Sequence, residues 1–545
     1  MTARTIVFGL DGACFDLIDE WLDSGRLDTL SGLLDRGVAS GLRSCVPATT
    51  PPAWSSLTTG VNPGKHGVFG FYERHPDSYH VTPVSDETVR ARRLWDYATA
   101  NDRTSLVVNV PVTHPGREID GALVPGYLAT DTPDTYPPDV LERVGMDDYR
   151  VYAPSEAADV SEGRLLEEWR SLTDSRRDLT LALMDAYEWD LCFVEFQKTD
   201  GAVHKFDDRE NVRRIFERVD DCMGDILDAA GGDPNVVVVS DHGIGQPKQW
   251  SVALNTWLAE NGYAETTVGS ERKSAWMDRA MGAEADGRRS VAGRLLAALG
   301  SVGVTKQRLE RLLATAGLYD LATRLAPAGL GAGVDEEVID YERSRAFYQG
   351  IGFSGVDVGV VINAETYYDD GIVDEGAYDD LRSELIDRLA ALEGPDGTPA
   401  FTEVKPREDV YEGPYVADAP DIVLHQHDDY VIGSAKPRGK TFIPADAGRI
   451  DHTDTGLLVA AGPDIDSEWS PGSTPSILDV TPTLLHLHDI PLDERFDGAP
   501  LSLSAVDHDP RWTTYEGAIP GTAAEMTSAE EQALEDRLKG MGYLE

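Results

Sequence analysis

The chain has 545 residues, of which 96 are acidic and 48 basic, for a formal charge of −48. At this length one large domain with a sizeable insertion, or two to three domains, is expected, and 41% apolar residues suffice for packed interiors. The charge excludes general nucleic-acid binding, which needs basic residues to neutralise phosphates.

Regular strand and helix patterns run through most of the sequence, which argues against disorder as the reason for the acidity. A solvated surface adapted to high salt, a halophilic pattern, fits better. At 1 M salt the Debye length falls to about 3 Å and self-repulsion is screened. The four cysteines (Cys14, Cys45, Cys192, Cys222) are scattered without a CxxC pair, so neither a disulfide framework nor a thiolate zinc site is expected. No apolar run is long enough to cross a bilayer, and no charged and apolar leader precedes the first strand. The expectation is a soluble, cytoplasmic protein of undetermined oligomeric state.

In chain order, the first predicted strand, 4–10, runs into Phe8-Gly9-Leu10-Asp11-Gly12. A helix follows at 50–59, with Thr50 as the expected N-cap before Pro51. A strand at 105–110, a helix at 162–187 and a strand at 190–196 come next. Beyond them lie a helix at 207–230 and a strand at 235–240. The runs Leu191–Phe196 and Val236–Val239 are nearly continuous in apolar residues, as strands covered on both faces are. Helices at 251–261, 375–393 and 475–488 and strands at 420–425 and 456–460 continue the alternation. The expected fold is α/β, a doubly wound, mostly parallel sheet flanked by helices, with a helical insertion.

Residues 266–334 break the pattern, with ten Lys/Arg against six Asp/Glu, a local surplus of +4. Leucines 295, 296, 299, 309, 312 and 313 recur there at helical spacing. A hairpin packed on the core, a cap over the site and a face for peripheral contact with an anionic membrane are all open readings. The expected division is a first part of the catalytic core (1–265), the inserted basic cap (266–334), a second part of the core (335–502) and an acidic C-terminal extension (503–545). One helix-like stretch, 527–540, lies in that extension.

Candidate ligands cluster at strand ends. Ser240-Asp241-His242-Gly243 follows the Val236–Val239 strand, at the edge where α/β sheets form their sites. Asp11 follows the opening strand between glycines. Asp200 and His204 are four apart, on one face if the segment is helical, and His452 precedes the strand at 456–460. Carboxylate and imidazole donors suit zinc or a harder divalent ion. Thr50, at a helix start, offers a hydroxyl beside free backbone N–H groups.

The order Asp11, Thr50, Asp200/His204, Asp241-His242, His452 resembles the alkaline phosphatase superfamily, in its type I phosphodiesterase/nucleotide pyrophosphatase-like branch. The resemblance spans about residues 4–500, apart from 266–334. It implies one ion held by Asp11, Thr50, Asp241 and His242 and another by Asp200, His204 and His452. Zinc is the expected metal, with manganese as the alternative. It also implies a small phosphorylated substrate, attack by Thr50 and a phosphothreonine or phosphodiester intermediate. Relatives of this type carry an asparagine some twenty residues past the nucleophile. Here Phe71 stands there, and Lys65, His66 and Asn109 are the candidates to replace it. The segment is closer in pattern to predicted phosphohydrolases and phosphomutases of the branch. The expectation is therefore a metal-dependent hydrolase of phosphodiester, phosphoanhydride or phosphomonoester bonds. Alternatives are a phosphomutase on sugar or acid phosphates and a non-catalytic binding protein. A sulfatase is disfavoured, because Cys45-Val46-Pro47-Ala48-Thr49 lacks the arginine of the sulfatase box and ends before Thr50.

Overall fold

The computed structural model describes residues 3–76, 78–156, 160–268, 337–350, 357–433, 435–446, 450–517, 519 and 533–534. Its main element is a seven-stranded sheet built from β1 (Thr5–Leu10), β2 (Val38–Arg43), β3 (Ser105–Val108), β4 (Gly121–Val124), β5 (Leu191–Phe196), β6 (Asn235–Val239) and β7 (Thr455–Ala461). The strands lie in the order β2-β7-β6-β1-β5-β3-β4. β1 pairs parallel with both β5 and β6, and β3 pairs parallel with β4 and β5. Only β7 runs against its neighbours, β2 and β6. It therefore begins at the edge where the other six strands end.

Both faces of the sheet are covered, because successive side chains of a strand point to opposite sides. Ile6, Phe8 and Leu10 of β1 join one apolar cluster with Val236 and Val238 of β6. That face carries helices α1 (Phe15–Asp23), α3 (Glu162–Ala186) and α5 (Arg209–Ala230). Val7, Phe193, Val237 and Val239 point the other way. They pack against α2 (Thr50–Thr59) and α6 (Val480–Leu487). Burial on both sides is why β1, β5 and β6 read as nearly unbroken apolar runs. The expected mostly parallel α/β sheet is present.

β2 and β4 carried no clear strand signal. In β2 (Val-Ala-Ser-Gly-Leu-Arg) only Val38 and Leu42 are buried, because it is an edge strand and needs few apolar residues. A second, antiparallel sheet joins Ala346–Phe347, Asp357–Ile362, Ile422–Gln426 and Phe401–Pro406. It packs with helix Glu375–Ala390 around its own apolar cluster. The predicted strand at 420–425 belongs to this smaller sheet. Thr266–Val268 pairs antiparallel with Glu337–Ile339, so the first residues assigned to the insertion are extended. Residues 269–336 lie outside the described residues, and so does most of the stretch expected as a helix at 527–540. Leu534, within it, is buried against Val68, Phe71 and Tyr152.

Every residue of α2 is buried. Near the end of this helix, Thr58 Oγ1 accepts from Arg93 at 2.9 Å. Arg93 in turn pairs with Asp86 at 3.0 Å, and Arg117 pairs with Asp86 at 2.7 Å and Asp96 at 2.8 Å. None of these side chains is more than 2% exposed, so the cluster must stay balanced. Asp86→Ala leaves two buried guanidinium groups short of a partner and should cost about 3–5 kcal/mol of stability. Chemical denaturation measures it, and a loss under about 1 kcal/mol, the value of an exposed pair, contradicts this account.

Candidate active site

Six parallel carboxyl ends and the start of β7 converge on one edge, which brings scattered residues together. Asp11 follows β1, and Asp241 and His242 follow β6. Asp200 and His204 lie on the short helix α4 (Lys198–Lys205) after β5. His452 opens a two-residue strand paired with Gly243–Ile244. Thr50 starts α2. All seven predicted site residues meet here, and all but His204 are buried. His204 is the outermost, its side chain keeping 21% of its area open.

Two backbone features allow this crowding. A Cβ on Gly9 would lie 2.6 Å from the Trp54 ring, so only glycine lets that ring cross β1. Gly12 has φ +68°, and a Cβ there would meet Asp200 Oδ1 at 2.9 Å. A side chain at position 12 is disfavoured by backbone and by space alike.

Helix α2 spans the expected residues, but its cap lies one residue earlier than expected. Thr49 is the N-cap and makes no side-chain cap, so the Thr50 hydroxyl is not engaged as a cap. It points instead at Asp11, donating to Oδ1 at 3.5 Å. Trp54, one turn further on, donates from Nε1 to Asp11 Oδ2 at 3.2 Å. The Gly12 N–H donates to Asp241 Oδ1 at 3.1 Å. His242 Nε2 lies 3.6 Å from Asp11 Oδ1 and 3.2 Å from Asp241 Oδ2.

On the other side, His204 Nε2 is 3.1 Å from Asp200 Oδ1 and 3.0 Å from His452 Nε2. His452 Nε2 is 3.5 Å from Asp200 Oδ1. The His242 and His452 rings stack at 3.7 Å between centroids and join the two halves. His452 Nδ1 faces the Ala48 carbonyl at 3.2 Å, and His242 Nδ1 faces that of Gly243 at 3.2 Å. A carbonyl can only accept, so each ring carries its proton on Nδ1. Nε2 is then the atom that each ring turns into the site, and it can ligate a metal once it carries no proton.

The electrostatics call for positive charge. Burial, then repulsion from Asp200, raises the Asp11 carboxyl well above its usual range. Burial and Asp11 do the same to Asp241. Burial also opposes ionisation of Asp200, but His204 and His452 outweigh it and hold that carboxyl well below its usual value. Burial keeps His242 well below the ordinary imidazole value. In His452 burial acts the same way, yet the contact with Asp200 prevails and raises it. No lysine or arginine pairs with Asp11, Asp200 or Asp241 among the described residues. Asp241 Oδ2 and His242 Nε2 are buried there without a hydrogen-bond partner.

These donors fit divalent metal. Tetrahedral bonds of ~2.0–2.1 Å place neighbouring ligand atoms about 3.3 Å apart. The separations given above, from 3.0 to 3.6 Å, bracket that value. Asp11, Asp241 and His242 form one group able to hold an ion, and Asp200, His242 and His452 form another. His242 thus belongs to both groups by distance.

Several contributors carried no signal of their own. Glu195 is a lone charge inside the apolar β5. It is fully buried, with Oε2 accepting from Asn109 Nδ2 at 2.8 Å. Burial and then Asp11 push its carboxyl well above the usual range. Its interruption of the strand Leu-Cys-Phe-Val-Glu-Phe was the available clue. Thr199 donates to the Asp11 carbonyl at 2.6 Å. Asp451 accepts from the His452 N–H at 2.9 Å and from Gln426 Nε2 at 2.7 Å, which ties the His452 turn to the smaller sheet. Of the candidates to replace the missing asparagine, Lys65 pairs with Asp497, away from the ligand cluster. His66, lowered to about 3 by burial and Arg93, bonds Ser56 at 2.9 Å and is structural. Phe71 itself is core. Asn109 alone reaches the site's surroundings, through Glu195.

The sequence profile of the type I phosphodiesterase/nucleotide pyrophosphatase family matches residues 5–448. The chain belongs to this family. It is a phosphoric ester hydrolase of the alkaline phosphatase superfamily. The matched region stops four residues before His452, so that ligand position rests on geometry alone. Among solved structures the chain is similar to phosphonoacetate hydrolase from Sinorhizobium meliloti 1021, in complexes with phosphonoformate and with phosphonoacetate. In both, identity is 15% and the TM-score 0.55, over 90% of this chain and 96% of the other. That likeness is one of fold. No curated protein sequence matches the chain. No helix among the described residues is long and apolar enough to cross a membrane.

Proposed function

We propose that the protein is a two-metal phosphohydrolase that cleaves phosphodiester, phosphoanhydride or phosphomonoester bonds of small molecules, with Thr50 as its nucleophile. The supporting observation is the spacing of the Asp and His ligand atoms, which matches metal coordination in both groups. Asp11, Thr50, Asp241 and His242 would hold one ion, and Asp200, His204 and His452 the other. His242 lies where it can also brace the second. Two divalent cations, zinc by the donor set or manganese, would lower the pKa of the hydroxyl and neutralise phosphoryl charge.

The chain's own groups do the rest. Asp11 takes the hydrogen bond of the Thr50 hydroxyl, and Trp54 fixes that carboxylate from its other oxygen. At the start of α2 Pro51 and Pro52 carry no N–H and that of Ala53 bonds the Thr49 carbonyl, so the Thr50 N–H and the helix dipole are what this helix offers to negative charge. Attack by Thr50 Oγ1 would form a P–O bond as the bond to the leaving alcohol or phosphate breaks. This gives a phosphothreonine from a monoester or anhydride and a phosphodiester from a diester. Water would then displace Thr50, which regains its proton, so transfer is divided into two steps. The acid excess of the surface favours assay at high salt.

Chelator dialysis should abolish hydrolysis of p-nitrophenyl and bis-p-nitrophenyl phosphate, and zinc or manganese should restore it. Faster turnover of the diester would select the phosphodiesterase form. Positional transfer within a sugar phosphate, without release of free phosphate, would select a mutase. A protein that takes up no stoichiometric metal and turns over neither ester is not this enzyme.

A further inference from the structure

Six of the seven site residues stand directly after β1 or β6 or within α2 and α4, so the large sheet alone places them. His452 has a second support, which reaches it from the smaller sheet. Gln426 ends the strand Ile422–Gln426 of that sheet. It is buried, and Asp451 is fully so. Gln426 Nε2 donates to Asp451 Oδ2 at 2.7 Å, and the His452 N–H donates to Asp451 Oδ1 at 2.9 Å. A strut therefore runs from the smaller sheet, through an amide and a carboxylate, to the backbone of a ligand.

The donors and acceptors fix its direction. The Ile432 N–H donates to Gln426 Oε1 at 2.9 Å, so the amide must turn its NH2 side to Asp451. Both Asp451 oxygens accept from N–H groups, as a carboxylate does. Among the described residues no cation pairs with that carboxylate. A buried charge without a counter-ion is costly, and a metal ion on the neighbouring His452 would offset part of the cost. The Asp451 carbonyl also accepts from the Gly245 N–H at 2.9 Å. The ring of His452 is meanwhile held at Nδ1 by the Ala48 carbonyl. Ring and backbone are thus fixed from different sides, and Nε2 is left to the site.

We propose that Gln426 and Asp451 are positioning residues for the ion at Asp200, His204 and His452, setting the His452 backbone, and with it Nε2, from the smaller sheet. The proposal deepens the two-metal reading and rests on it. Its consequence is that affinity for one ion depends on two side chains that touch neither the ion nor the substrate.

Zinc titration of chelator-dialysed protein, in competition with a chelator of known affinity, should give two dissociation constants for the parent. Gln426→Met removes the amide at similar size. Asp451→Asn keeps the shape, but whichever way the two amides then turn, two N–H groups meet between Ile432 and His452. Each variant should weaken one constant about tenfold or more, as loss of a partner behind a metal ligand does elsewhere, and the other by less. The free zinc that gives half-maximal hydrolysis should rise by the same factor. If one variant does not fold, the other decides. Two constants equal to the parent's in a folded variant, or both weakened alike, overturn the positioning role and leave the two-metal reading standing. A parent that takes up no stoichiometric zinc rejects that reading, and this proposal with it.

Discussion

Thr50→Ala should lower kcat by about three orders of magnitude or more while both metals stay bound, as loss of a nucleophile does elsewhere. The reason is local. Thr50 is the first residue of α2, and its Oγ1 makes one side-chain contact, 3.5 Å to Asp11. The capping position belongs to Thr49, so removal of the Thr50 hydroxyl does not unravel the helix start. The other ligands, two carboxylates beside His242 and the Asp200/His204/His452 group, persist. Metal analysis together with steady-state kinetics checks the prediction. Serine at this position keeps a hydroxyl and should recover part of the rate. Undiminished turnover by the alanine variant would assign the nucleophile elsewhere.

His452→Ala is expected to act on the metals first and on the chemistry through them. The ring meets Asp200 at 3.5 Å and His204 at 3.0 Å through Nε2, and it stacks on His242 at 3.7 Å. Its loss removes a ligand from one group and the packing that orients a ligand of the other. Metal content should fall from two ions per chain towards one, and kcat/KM by at least about 100-fold. Added zinc should also raise the thermal midpoint less than in the parent, because weaker binding contributes less through RT ln(1 + [L]/Kd). A variant that holds two ions with parental kinetics would remove His452 from the site, and with it the reading that needs a ligand beyond the family-matched region.

Much of this architecture was legible because the central strands are buried on both faces. Strands so placed must be apolar at nearly every position, and Thr5–Leu10, Leu191–Phe196 and Asn235–Val239 stand out for that reason. Helices such as α3 and α5 were visible within one or two residues of their ends. The edge strand Val38–Arg43 was not, since it is buried at two positions only. The short strand Gly121–Val124 gave no alternation to detect. The smaller antiparallel sheet was foreseen only in its Ile422–Gln426 strand.

The chain by itself determined which residues could be ligands, because an aspartate or histidine directly after a buried strand must lie at the sheet's carboxyl edge. It also determined the spacing that puts Asp200 and His204 on one helical face. Only the tertiary structure decided how these pieces meet. β7 runs antiparallel to β6, so the turn before it, with His452, arrives at the edge where β1, β5 and β6 finish. The same folding sets Trp54 over Gly9 and Glu195 behind Asp11. Those relations join residues remote in the chain, and strand order and direction, which create them, leave no mark on local sequence.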